Sequence, residues 1–70
     1  MIQYGSEILA ARSRRRITQS ALAEQVGIFE GTLVEIERGR IGIDEDTYRR
    51  FLDAIDAIES ADAEPQEQAA

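Results

Sequence analysis

Thr18–Gly39, TQSALAEQVGIFEGTLVEIERG, reads as two short amphipathic segments on either side of a glycine. Residues at helical spacing share one face in each segment. They are Leu22, Ala23 and Val26 in the first segment and Thr32, Leu33, Ile36 and Glu37 in the second. Gly27 and Gly39 follow the two segments, at the position where a helix end turns left-handed and glycine does so at least cost. The pattern predicts two short helices joined by a tight turn.

Two helices joined in this way form a helix-turn-helix, whose second helix is shaped to enter the major groove of DNA. The spacing T-Q-x-x-L-A-x-x-x-G-I runs from Thr18 to Ile28, and T-L-x-x-I-E-x-G runs from Thr32 to Gly39. In these motifs the chain resembles the lambda-repressor/Cro-type helix-turn-helix family, over most of residues 2–58. The resemblance implies an all-α bundle of four helices, or of four with a short fifth, that binds double-stranded DNA as a homodimer.

The composition excludes several kinds of site. Seventy residues allow one domain with a small core, and without cysteine or histidine there is no disulfide, zinc cluster or Cys/His catalytic pair. The acidic run Asp44–Asp46 lacks the spacing of a calcium loop. No glycine-rich phosphate loop is present, and so small a core leaves no substrate pocket. We therefore expect no enzymatic activity, no cofactor and no metal.

No apolar run approaches the length of a membrane span, so we expect a cytoplasmic protein without membrane contact. The net charge of −6 runs against the basic footprint of a DNA-binding protein. Residues 59–70 hold four of the fourteen acids and no base, which leaves ten acids and eight arginines in residues 1–58. We interpret 1–59 as the helix-turn-helix domain and 60–70 as an acidic, disordered tail. By hypothesis, this tail competes with DNA for the arginines.

Four helices are predicted. Helix 1 runs from about Gln3 to Arg14, and helix 2 is capped by Thr18. Helix 3 spans about Glu30 to Arg38. Helix 4 is capped by Asp44 and extends to about Ala63. The predicted inward residues of helix 1 are Ile8, Leu9, Ala11 and Arg12 in part, and those of helix 4 are Tyr48, Phe51, Leu52, Ile55 and Ile58. This last stripe closes the core or, through Phe51, Ile55 and Ile58, forms a dimer face.

Arginines are the candidate phosphate-binding residues. Arg14, Arg15 and Arg16 precede helix 2, while Arg38 and Arg40 flank the end of helix 3. The resemblance implies that Gln19 also contacts phosphate. The alternative is a solvated basic edge that balances the acids. The resemblance further implies a buried ion pair between Arg12 and Glu37, which orients helix 3 without touching DNA.

The outer surface of helix 3 departs from the family. Phe29 stands where the family usually has a capping serine. The candidate base-reading residues are Glu30, Gly31, Thr32, Val34, Glu35 and Arg38. A glutamate can accept from cytosine N4, and threonine or valine can contact a thymine methyl group. Two alternatives stay open: a plain solvent face, or a protein-binding patch formed by Phe29 and Val34 with Glu35.

Overall fold

The computed structural model describes residues 4–63, which form four α-helices and no strand. The helices are α1 (Tyr4–Arg14), α2 (Gln19–Val26), α3 (Glu30–Glu37) and α4 (Glu45–Ala63). The predicted all-α bundle is confirmed. Gln3, the predicted first residue of helix 1, lies outside the described residues, and so do a fifth helix after Ala63 and most of the predicted tail. The first four residues of that tail segment, 60–63, continue α4.

All four helices contribute to one core. The five large side chains that are fully buried are Ile8 from α1, Leu22 from α2, Leu33 from α3, and Phe51 and Ile55 from α4. Ala11, Ile17, Ala23, Ile36 and Ala54 fill the space between them. Because α4 supplies two of the five large residues, it is the element that closes the bundle.

The apolar stripe of α4 belongs to this core. Phe51 and Ile55 are each 1% exposed, so they are not available as a dimer face, and that alternative is wrong for these two residues. Ile58 is half-buried against the same core. The prediction for Leu9 is also wrong, since 40% of it is exposed. Ile8, Ala11 and Arg12 lie at i, i+3 and i+4 and define the inward face of α1, and Leu9 is about 100° away from it.

The predicted caps are present. The Thr18 hydroxyl accepts a hydrogen bond from the Ala21 backbone N–H at 3.0 Å. The Asp44 carboxylate accepts a hydrogen bond from the Thr47 backbone N–H at 2.8 Å. Gly27 and Gly39 have φ values of 92° and 81°, in the left-handed region that favours glycine. These local signals fix where α2 and α4 begin and where α2 and α3 end.

The start of α1 is held against two other helices. A Cβ atom at Gly5 would overlap the carbonyl oxygen of Ile36, so the backbones of α1 and α3 approach as closely as glycine allows. Next to it, the ring of Tyr4 stacks on Tyr48 of α4, with 4.5 Å between centroids. The position of α3 is therefore set in part by the first turn of α1.

Candidate nucleic-acid interface

The helix α3 has one buried face and one outer face. Leu33, Ile36 and Glu37 are its buried residues. At 100° per residue, Gly31, Val34, Glu35 and Arg38 lie opposite them. Gly31 and Arg38 are exposed, while the side chains of Val34 and Glu35 are half-buried. Of the other candidates, Glu30 is exposed at the first helical position, and Thr32 is half-buried at the edge of the outer face.

A single carboxylate ties this helix to the rest of the domain. Glu37 Oε2 lies 2.8 Å from Arg12 Nε, and Oε1 lies 2.9 Å from Arg12 Nη2. The other terminal nitrogen of Arg12 donates to the carbonyl oxygen of Ile17 at 3.0 Å. The two side chains are 12% and 4% exposed, so the pair is nearly dry. The structure thus brings Arg12 and Glu37 together as the resemblance implies.

Gln19 joins the same carboxylate. Its side-chain nitrogen donates to Glu37 Oε1 at 3.0 Å, so Glu37 of α3 binds α1 and α2 at once. The resemblance implies only a phosphate contact for Gln19. No local pattern indicates the bond to Glu37, because the partner lies eighteen residues away on another helix. No buried side-chain nitrogen or oxygen within residues 4–63 lacks a hydrogen-bond partner. The network therefore satisfies its own polar atoms and holds α3 at a fixed angle.

The five candidate phosphate-binding arginines differ in their partners. Arg14, Arg16 and Arg38 are exposed and form no ion pair with any described residue. Arg15 donates from Nε to Glu59 at 3.0 Å and from Nη1 to the Ala11 carbonyl oxygen at 3.0 Å. The Arg40 guanidinium lies 3.6 Å from Glu35. Within residues 4–63, three of the five guanidinium groups thus lack an acidic partner.

Two of these cations lie at the junction of α1 and α2, Arg14 as the last residue of α1 and Arg16 in the turn. Arg16 has φ of 59°, a left-handed conformation that is uncommon for a residue with a side chain. The next residue, Ile17, turns inward and is buried. The chain thus reverses at Arg16 and leaves Arg14 and Arg16 exposed just ahead of the N-terminus of α2.

Phe29 occupies the N-cap position of α3. Its backbone is extended, with φ −73° and ψ 144°, and its side chain makes no capping hydrogen bond. It is 85% exposed. The predicted loss of the capping hydroxyl is confirmed, and the ring does not fold back onto the core. The sequence showed the unusual residue, but it left open whether the ring packed against Ile28.

No cluster of three or more His, Cys, Asp or Glu side chains that could hold a metal ion occurs among the described residues. An open groove runs between the end of α2 and α4, past Val26, Ile28, Ala54 and Ala57. No helix in residues 4–63 is long and apolar enough to cross a membrane.

Comparison with known proteins adds one finding. A family model described as a helix-turn-helix domain matches residues 3–65, nearly the whole chain. No curated protein and no solved structure matches significantly.

Proposed function

The chain belongs to the helix-turn-helix domain family, of the Cro-like type that its motifs resemble, and from that premise we propose a sequence-specific DNA-binding regulator that acts without catalysis. In this proposal the outer face of α3 enters the major groove. Arg14 and Arg16 bind phosphates ahead of α2, and Arg38 and Arg40 bind them at the end of α3. The observation that carries the proposal has two parts. The Glu37 network fixes α3 with one face toward the surface, and exposed arginines that pair with no acid in residues 4–63 lie just ahead of α2 and at the end of α3.

The negative net charge of the chain does not by itself prevent the proposed surface from binding DNA. Local charge decides whether a surface attracts a phosphate, since salt screens interactions beyond about 10 Å. Five acids on α4 are exposed, namely Glu45, Asp46, Asp53, Asp56 and Glu59. Two of them are paired with arginines, Glu45 with Arg49 and Glu59 with Arg15. Glu30 and Glu35 remain the unfavourable charges on the reading helix. In our proposal they find donors on the bases, where cytosine N4 offers a hydrogen.

We further propose that two copies act together on a two-fold operator, with half-sites about one helical turn apart. The buried residues of α4 are not available for such pairing, so the copies would meet through another surface or only on DNA. Sedimentation of the protein with and without a duplex would separate these two arrangements.

Fluorescence anisotropy with labelled duplexes tests the proposal. Four phosphate contacts, one for each of the proposed phosphate-binding arginines, predict that the affinity of one copy falls about 150-fold between about 50 and about 200 mM salt. Replacing Arg14 and Arg16 with glutamate should lower affinity by at least about tenfold, because two attractive charges become repulsive. The matched control is Arg49→Glu, which reverses an exposed arginine on α4 that pairs with Glu45. Absence of binding to any duplex at low salt would overturn the regulator assignment.

One observation favours a second function, a protein-binding module. Phe29 is 85% exposed, as an apolar anchor for a partner would be. However, Val34 is half-buried, so it adds little exposed apolar surface to that of Phe29. A module of this class would ignore DNA and the Arg14 and Arg16 reversals, and Phe29→Ala would abolish its complex. We therefore rank DNA binding first.

A further inference from the structure

We propose that Phe29 is a base-reading residue that contacts the 5-methyl group of a thymine in the major groove. This inference rests on the proposed function and names one determinant of its specificity. Phe29 lies outside the set of predicted base-reading residues, which begins at Glu30.

The ring is exposed to a degree that no other large apolar side chain in residues 4–63 approaches. Phe29 is 85% exposed, against 42% for Ile41 and 40% for Leu9. The position also lacks a capping hydrogen bond, which serine, threonine or aspartate would supply. Two stabilising contributions, ring burial and capping, are therefore absent at one residue. A gain in binding accounts for both.

The location of the ring fits DNA. Phe29 immediately precedes the first helical residue of α3, and the N-terminal residues of a reading helix are those that contact base edges. Thymine presents its methyl group in the major groove, where apolar side chains including phenylalanine contact it. Close approach is also open here, because a side chain added at Gly27 or Gly31 would meet nothing within 4 Å.

The surroundings of the ring fit a protein partner less well. Sites that bind proteins through apolar contact present a contiguous patch of several hundred Å². Phe29 instead has exposed Gly27, Glu30 and Gly31 as its chain neighbours, and Ile28 packs on the core. A single exposed ring between glycines and a glutamate offers enough apolar surface to contact one methyl group.

The experiment starts from duplexes selected by the wild-type protein out of a random-sequence pool. Each thymine of the selected site is then replaced by deoxyuridine, which removes only the methyl group. For wild type we expect one thymine per half-site at which the replacement weakens binding about fourfold, the value of one buried methyl-sized group. For Phe29→Ala the same replacement should have no effect.

Phe29→Ser separates reading from folding. Serine restores the capping hydroxyl, so this variant should melt at a higher temperature than wild type and still lose the thymine preference. If Phe29 were only structural, the variant would instead melt lower. Phe29→Leu keeps an apolar side chain and should retain part of the preference.

The outcomes are distinct. If wild type binds the selected duplex but the deoxyuridine effect persists in Phe29→Ala, the inference is wrong and the regulator assignment stands. If Phe29→Ala leaves DNA binding and thymine preference intact but abolishes a protein complex, the ring is a protein anchor. If no duplex is selected at all, the proposed function itself fails.

Discussion

Glu37 accepts two parallel hydrogen bonds from Arg12, at 2.8 and 2.9 Å, in a nearly dry contact between α3 and α1. Planar guanidinium and carboxylate groups match in this two-point geometry, which adds direction to the attraction. Gln19 of α2 completes the contact from a third side. The orientation of α3 therefore depends on a carboxylate on its buried face.

We predict that Glu37→Ala destabilises the domain by about 3–5 kcal/mol, because it leaves the Arg12 charge buried without a partner. Urea unfolding followed by circular dichroism measures the change. The control Glu45→Ala breaks the exposed pair with Arg49 and should cost about 0.3–0.5 kcal/mol. Equal losses in the two variants would show that Glu37 contributes no more than a surface pair.

Two glycine-to-alanine changes should have opposite effects. Gly5→Ala would force a Cβ into the Ile36 carbonyl oxygen, so α1 and α3 must separate and stability must fall. Gly31→Ala adds a methyl group in open space within α3 and should stabilise the domain by about 0.5–1 kcal/mol. Thermal melting shows whether each variant has a higher or a lower melting temperature than wild type. An unchanged melting temperature for Gly5→Ala would mean that α1 and α3 can separate without loss of stability.

Acid stability should depend on Asp44. Hydrogen bonds from the Thr47 side chain and backbone amide hold the pKa of the Asp44 carboxyl below its ordinary value. A lowered folded-state pKa stabilises the fold fully above the unfolded-state value of about 3.9, and this contribution is lost as pH falls through the folded-state pKa. We therefore expect Asp44→Asn, which keeps a capping side chain, to lose less melting temperature on acidification than wild type.

The control for Asp44 is Asp53→Asn, which removes a carboxylate from an exposed position in the middle of α4. Its melting temperature should follow the wild-type pH profile. If Asp44→Asn and Asp53→Asn show the same profile, the cap at the start of α4 does not set the acid response.

Glu59 should weaken DNA binding, because it occupies Arg15 at 3.0 Å. Glu59→Gln frees that guanidinium for phosphate, and we expect tighter binding to random duplex and a salt slope that is steeper by about 0.9 per copy. Asp53→Asn makes the same charge change on the same helix without an arginine partner among the described residues. A larger gain from Asp53→Asn than from Glu59→Gln would contradict a specific role for the pair.

The acidic tail hypothesis has its own test. Deletion of residues 64–70 removes Glu64 and Glu67 and leaves α4 whole to Ala63. If the tail competes for the arginines, the deletion should tighten binding to random duplex at low salt and have little effect at high salt. The full-length chain with Glu64→Gln and Glu67→Gln should behave in the same way. Unchanged affinity in both variants at low salt would rule the hypothesis out.

Much of the fold could be predicted from the sequence because the decisive signals are local. Thr18, Gly27 and Asp44 mark helix ends through contacts within three or four residues. The α4 periodicity identifies its inward face, but it cannot say whether a second helix or a second chain covers Phe51. The structure answers that question through burial within one chain.

Two of the contacts that escaped prediction join distant segments. Gln19 meets Glu37 eighteen residues away, and Arg15 meets Glu59 forty-four residues away. The role of Gly5 was hidden for the same reason, since a glycine inside a helix gives no indication of which backbone lies against it. For Phe29 the sequence shows an unusual residue at the start of helix 3. Whether its side chain points to the core or to solvent depends on how all four helices pack.

The Glu37 network also limits how this domain can be reused. Glu37 accepts two hydrogen bonds from Arg12 of α1 and one from Gln19 of α2, so the turn motif of residues 18–39 contains the donor of only one of the three. In a chimera that carries only this motif on a foreign scaffold, the Glu37 carboxylate would lack its arginine partner. The orientation of α3 would then no longer be fixed. Engineering a new specificity therefore requires moving the first helix along with the second and third.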